Sequence, residues 1–327
     1  MLGRVIVIRS KLFCSAVVIG VFVTGSFVAK AQAPQVRFAA GQQGSQNYGV
    51  NAALAQALKT SGSINATVQA FGGPTSYLPL ANSGELDVAA VVMPDLGDAV
   101  RGTGPFTGNA LKNLRLVAAL FPSPVGLMVR KDSGIASIKD LKGKRVSWGL
   151  TAQASLLPYV EGALANGGLT KKDVKLVPVA SVVNGVDDVV AGRVDATLFA
   201  LRGGKVVEAD SATGGIRWLP FDTSAEAVRR MQVVAPEAYL VQITPADKIV
   251  GAPEPISTMA YDYVLVTGPK TSDAAITAIA KTLREKGADI AKTNKVLGNM
   301  TAESVARSYR QIPHHPAAKT ALNIKAN

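Results

Sequence analysis

The sequence predicts an α/β protein built as two lobes, and three observations predict it. Short apolar runs of β character alternate with segments whose apolar residues recur at helical spacing. A strand, a glycine-punctuated turn and a helix open the folded part at 36–58, and a second loop-to-helix turn stands near the middle at 149–155. Beyond its first thirty-odd residues the chain is also longer than one domain usually runs. The sheets are expected to be mostly parallel, as alternation of strands and helices implies.

The extreme N-terminus stands apart from this pattern. Arg4, Arg9 and Lys11 precede an uncharged apolar run at 12–29, and Ala29-Lys30-Ala31 supplies small residues for cleavage. These features predict a secretory signal peptide over 1–31, cleaved near Ala31, and a soluble periplasmic product. An uncleaved membrane anchor is the other reading of the run. Cys14, the single cysteine, lies inside it without a lipobox, so the mature chain has no thiol for a disulfide, a metal or catalysis. Removing Arg4, Arg9, Lys11 and Lys30, with no acid among those residues, takes the net charge from +12 to +8. The cations are scattered, densest at Lys139, Lys142, Lys144 and Arg145. Export and the lack of aromatic–basic interleaving exclude nucleic acid, while the net field favours small anions.

Taken in order, 36–40 is a strand and 41–49 a turn in which Gly41 and Gly44 permit close backbone approach. Ser45 or Asn47 caps the helix whose apolar face carries Val50, Leu54 and Leu58. Residues 64–71 form a strand, 77–82 a short helix and Gly84 its left-handed cap. Residues 87–93 form another strand, turned by Pro94-Asp95. Strands come next at 114–121 and 125–130, the latter beginning the crossing to a second lobe. The second lobe reads as a turn at 149–155, a helix ending at Asn166-Gly167-Gly168, a strand at 174–179, a helix at 186–191 and a strand leading to Phe199. Beyond it come a helix at 206–209, a strand at 216–221, a helix at 225–235 and a loop punctuated by Pro245, Pro253 and Pro255. An extended run at 258–267 is the return crossing. The tail at 272–309 is mostly helical, with Gly298 as a stop. A weak internal echo links Ser83-Gly84-Glu85-Leu86-Asp87-Val88 with Ala191-Gly192-Arg193-Val194-Asp195-Ala196, one copy per half.

Catalytic motifs are scarce. The two histidines, His314 and His315, are adjacent in a Pro-flanked tail, which does not suit a shared metal. No Ser–His triad, phosphate loop or dinucleotide fingerprint is visible. Arg202, past a buried strand at a helix-opening turn, is a candidate for bidentate contact with a carboxylate, and a surface arginine is the equal alternative. Asp95 reads as a helix cap or as the partner of a ligand amine. Tyr261 and Tyr263 read as packing residues of the return crossing.

Several stretches line up with one family. Gly44-Ser45-Gln46-Asn47-Tyr48-Gly49, Ala70-Phe71-Gly72-Gly73 and Asn82-Ser83-Gly84-Glu85-Leu86-Asp87 come in that order. Phe121-Pro122-Ser123-Pro124-Val125, Asp140-Leu141-Lys142-Gly143-Lys144-Arg145-Val146 and finally His315-Pro316 complete the set. Over about 36–318 the chain resembles the TAXI family of TRAP transporter solute receptors. The resemblance implies a type II periplasmic binding-protein clamshell, with two crossing strands and lobes spanning 32–127, 128–223 and 224–327, the last returning to the first lobe. It implies a monomer without cofactor or catalytic residues, which captures a small solute and delivers it to TRAP permease subunits in the membrane.

By the same resemblance, three loops line the pocket. They carry Gly44, Ser45, Asn47 and Tyr48; Gly72, Gly73 and Thr75; and Thr151, Gln153 and Ser155. The chain departs from the family's usual residues at Gln42, Gln43, Gln46-Asn47-Tyr48 and 150–155. The expected solute is an anion, carboxylate or amino acid-like, held at helix N-termini with Tyr48 over an apolar part. Closure is expected to hinge near 125–130 and 259–266. A module feeding a membrane sensor and an exported enzyme of similar shape are the alternatives.

Overall fold

The computed structural model describes residue 3, residues 33–298 and residues 300–325; apart from Gly3, the expected signal segment at 1–31 lies outside the described residues. The chain opens with β1 (Gln35–Ala40), α1 (Gln46–Thr60), β2 (Asn65–Ala70), α2 (Pro74–Ser83), β3 (Val88–Val92) and α3 (Met93–Arg101). Strands β1, β2 and β3 pair in parallel. Ser45 is the N-cap of α1, its hydroxyl accepting from the Tyr48 amide, and Gly84 caps α2 at φ 79°. Asn47 does other work. Its Oδ1 accepts from the Gly41 amide at 2.6 Å and its Nδ2 donates to the Ala90 carbonyl at 2.9 Å. Asn51, fully buried one turn on, accepts from the Ala90 amide at 2.7 Å and donates to the Ala90 carbonyl at 3.0 Å. The two asparagines satisfy backbone groups of Ala90, one residue beyond the last pairing of β3 with β1.

Strand β4 (Arg115–Arg130) then leaves this side, and β10 (Ile256–Thr267) returns antiparallel to it, with Tyr261 opposite Ser123. Between them lie β5 (Arg145–Gly149), α4 (Leu157–Asn166), β6 (Lys175–Val179), α5 (Val182–Val190), β7 (Thr197–Ala200), α6 (Lys205–Thr213), β8 (Ile216–Trp218), α7 (Ala225–Val234) and β9 (Tyr239–Ile243). After the return come α8 (Asp273–Thr293), α9 (Ala302–Val305) and α10 (Pro316–Ala321). The main sheet runs β2-β1-β3-β10-β4-β7, with β8 on β4 and β9 on β10; β5 and β6 form a separate parallel pair. One end of the β4–β10 pair is flanked by β3 and the other by β7, β8 and β9. Fully buried Phe38, Leu54 and Leu58 belong to the core beneath the β1–β3 side, and each such side chain contributes about 2 kcal/mol. No helix among the described residues is long and apolar enough to cross a membrane.

Several expectations are corrected. The sheet is mixed rather than mostly parallel, because a chain that goes out and returns through one place traverses it in opposite directions. The two strands expected at 114–121 and 125–130 are one 16-residue strand. Pro122 and Pro124 are tolerated because the pairing of β4 with β7 begins only at Val125, leaving one flank of β4 without a strand partner there. Pro94-Asp95 is not a turn. It opens α3, with proline in the first turn, where its missing amide is harmless. Strand β9 lies just before the loop expected around Pro245. Gly298 does not stop α8, which ends at Thr293; a Cβ at Gly298 would meet the Phe121 ring at 2.6 Å, so close packing is its role.

Candidate functional site

The echo between the halves has a physical basis. Asp87 accepts from the Arg37 amide at 2.8 Å and from its guanidinium at 2.9 and 3.0 Å; Asp195 accepts from the Arg145 amide at 2.7 Å and from its guanidinium at 3.2 and 2.7 Å. Each aspartate thus ties the loop before a later strand to the first strand of its half, β1 or β5. The turn after β2 faces the turn after β5, and the turn after β1 faces those after β6 and β7.

Where they meet, the backbones touch. Gly73 has no room for a side chain, since a Cβ would lie 2.2 Å from the Ala152 carbonyl oxygen. Its φ of 171° is extended backbone open to any residue, so the constraint is steric. Thr75 Oγ1 donates to the same carbonyl at 3.3 Å, and Gln153 Nε2 donates to the Gly72 carbonyl at 3.3 Å. Gln153 Oε1 accepts from the Val182 amide at 3.2 Å. Ser181 Oγ donates to Gln42 Oε1 at 2.8 Å, and the Lys205 amide donates to the Gly44 carbonyl at 2.9 Å.

Behind these contacts lies a cavity of about 60 Å³. Helix N-termini from both sides surround it. Gln46 and Asn47 open α1, Pro74 is the first residue of α2, Val92 precedes α3, Leu156 precedes α4 and Val182 opens α5. Each brings the positive end of a helix dipole. Tyr261 and Tyr263 of β10 form one wall, Tyr261 packed edge-on against Tyr159 with ring centroids 5.2 Å apart. Leu198, Phe199 and Ala200 of β7 form another.

Two polar atoms here have no hydrogen-bond partner among the described residues. Gln46 is 3 % exposed; its Oε1 accepts from Ser123 Oγ at 2.6 Å, while its Nε2 is unpaired. Asp95, in the first turn of α3, is 2 % exposed, and its Oδ1 is unpaired. Burial is the main force holding the Asp95 carboxyl up at about 7; the nearby Ser155 hydroxyl pulls it down and Asp98 pushes it up. Buried polar atoms ordinarily find partners, so two orphans on one small cavity mark a site. Among the described residues lining the cavity there is no lysine, arginine or histidine.

The expected site residues divide into groups. Ser45, Asn47 and Gln153 line the cavity. Ser155 is buried beside Asp95, its Oγ also unpaired. Gly44, Gly73 and Thr75 make the contacts between facing turns. Gly72 and Thr151 line an outer groove with Gln42 and Gln43. Tyr48 is half-buried on α1, and its side chain is not on the cavity wall. Arg202 is turned elsewhere: it pairs with Asp247 at 3.4 Å in a surface groove with Lys292 and Lys295. Sequence reasoning passed over Gln46 and the β7 wall, and treated Tyr261 and Tyr263 as packing. The available signal was the position of Gln46 and Asp95 in the first turns of helices that come after buried strands.

Residues 38–323 match the NMT1-like family. Among solved structures, one described as a periplasmic transporter aligns at TM-score 0.54 and 12 % identity, covering 81 % of this chain and 87 % of that one. The VFT2 domain of Bordetella pertussis BvgS, as a double mutant, aligns at TM-score 0.50 and 14 % identity over 80 % and 92 %. The alkanesulfonate-binding protein of Xanthomonas axonopodis pv. citri, bound to MOPS, aligns at 0.47 and 17 % over 80 % and 78 %. The fold is the mixed α/β type II fold of periplasmic binding proteins.

Proposed function

We propose, from the premise that this chain belongs to the NMT1-like family, that it is an extracytoplasmic solute-binding receptor. It captures a small carboxylate-bearing, amino acid-like solute between two lobes and hands it to a membrane permease. The lobes are taken as 32–127 and 128–223, with 224–327 returning to the first, and the protein as periplasmic once 1–31 is removed. The observation that carries the reading is the cavity lined by the turns after β1 and β5, with several helix N-termini around it and Gln46 Nε2 unpaired. A carboxylate placed there meets the free Gln46 Nε2 and positive dipole ends, which hold an anion without a formal cation. The resemblance of the chain to TAXI receptors supports a TRAP-type permease as the recipient. Arg202, engaged by Asp247, has no part in this reading.

The function is capture rather than catalysis. Pocket and closure serve to enclose a molecule, and the neighbour described as a periplasmic transporter supports the same view. Thermal unfolding with a panel of small carboxylates tests it. A true ligand at a hundred times its Kd stabilises the folded state by about 2.7 kcal/mol. A panel in which uncharged solutes raise the midpoint and no carboxylate does so sinks the carboxylate reading.

A further inference from the structure

We propose that Asp95 is the specificity-determining residue of this site: its buried carboxylate accepts the ammonium group of a small net-neutral zwitterion, an amino-substituted rather than hydroxy- or keto-substituted monocarboxylate. This rests on the carboxylate reading above and sharpens it. Asp95 brings the one carboxyl group to the cavity wall, and no cation lines that wall among the described residues. A doubly negative solute would set a second carboxylate in this dry enclosure without a counter-charge, at a large desolvation cost. A zwitterion satisfies both ends. Its carboxylate meets Gln46 Nε2 and the first turn of α1, and its ammonium meets Asp95 at the first turn of α3. The volume, about 60 Å³, limits the solute to a handful of non-hydrogen atoms. That is the scale of glycine or alanine.

The surroundings of Asp95 favour a charge that appears on demand. The titratable groups that act on or sense it are Asp98 on α3, Tyr77 on α2, Tyr159 on α4 and Tyr261 and Tyr263 on β10. None is a cation. Without solute the carboxyl is held near neutrality, and an arriving ammonium supplies the counter-charge that ionises it.

Isothermal titration of the purified protein with glycine, alanine, lactate, propionate and ethylamine tests the proposal, on wild type and Asp95→Asn. The wild type is expected to bind alanine or glycine at least about thirtyfold tighter than lactate or propionate, the scale of one desolvated charged contact. Asp95→Asn, confirmed folded by circular dichroism, should reduce the amino acid to the level of lactate. Wild-type affinity for the amino acid should be about tenfold weaker at pH 6 than at pH 8, and flat with pH in Asp95→Asn. Equal wild-type binding of lactate and alanine, unchanged discrimination in Asp95→Asn, or no binding of any amine overturns the proposal. Binding of ethylamine with no amino acid or carboxylate would instead keep Asp95 as the ammonium partner and remove the carboxylate reading.

Discussion

At the scale of single residues, the buried polar groups separate into those the scaffold consumes and those it leaves for a solute. Asn47 and Asn51 spend their amides on Gly41 and Ala90. Gln46 spends one atom, and Asp95 leaves Oδ1 unused. An unpaired buried carboxyl costs stability, and its pH dependence has a definite sign. The folded state holds the Asp95 proton up to about 7 against an ordinary value of 3.8, so between these values it binds more protons than the unfolded chain. The contribution is fully present below the lower value and is lost as pH rises through the upper one, over on the order of 4 kcal/mol in all. Asp95→Asn should therefore stabilise the unligated protein by about 2–4 kcal/mol at pH 8 and change it little at pH 4. Urea midpoints at the two pH values check this; an equal effect at both would mean that Asp95 ionisation is not what costs stability.

At the scale of elements, α1 and β3 are joined through side chains rather than a ladder. Strand β1 meets β3 only at Val88 and Ala89, and Asn51 takes over at Ala90. Asn51→Ala leaves the buried Ala90 amide without its partner, while the carbonyl keeps Asn47, and should cost about 2 kcal/mol. Denaturant unfolding measures it, and a loss below about 1 kcal/mol would show that water or rearrangement replaces the side chain. Much at this scale is legible in the sequence. Helix ends at Ser45 and Gly84 reflect local chemistry, and the Asp87 and Asp195 echo marks matching joints. The start of α3 is not legible as such, because Pro94-Asp95 suits a turn or a first helical turn equally well. Strand β9 is short and half-exposed, and its pairing with β10 stabilises it.

At the scale of the whole molecule, the described arrangement is closed. Gly73 sits against the Ala152 carbonyl, Gln153 ties Gly72 to Val182, and the Lys205 amide reaches Gly44. The β4–β10 pair is the structure common to both sides, with Ser123 on it bonded to Gln46. A side chain at position 73 should hold the two sides apart. Gly73→Val is expected to raise the radius of gyration in solution scattering and to weaken solute binding at least about tenfold, with the unligated unfolding midpoint nearly unchanged. An unaltered radius and affinity would show that this contact does not limit closure.

The sequence by itself determined the α/β class, the two crossing strands and most element positions. These arise from hydrophobic period, caps and glycine placement, all of them local along the chain. Tertiary structure decided what the turns do. It sent Arg202 to Asp247, aimed Gln153 across the gap and walled the cavity with Tyr261, Tyr263 and β7. It also buried Asp95 and left Oδ1 unpaired. The reason is physical: whether a polar atom is paired depends on groups brought from far along the chain, and no local pattern records that.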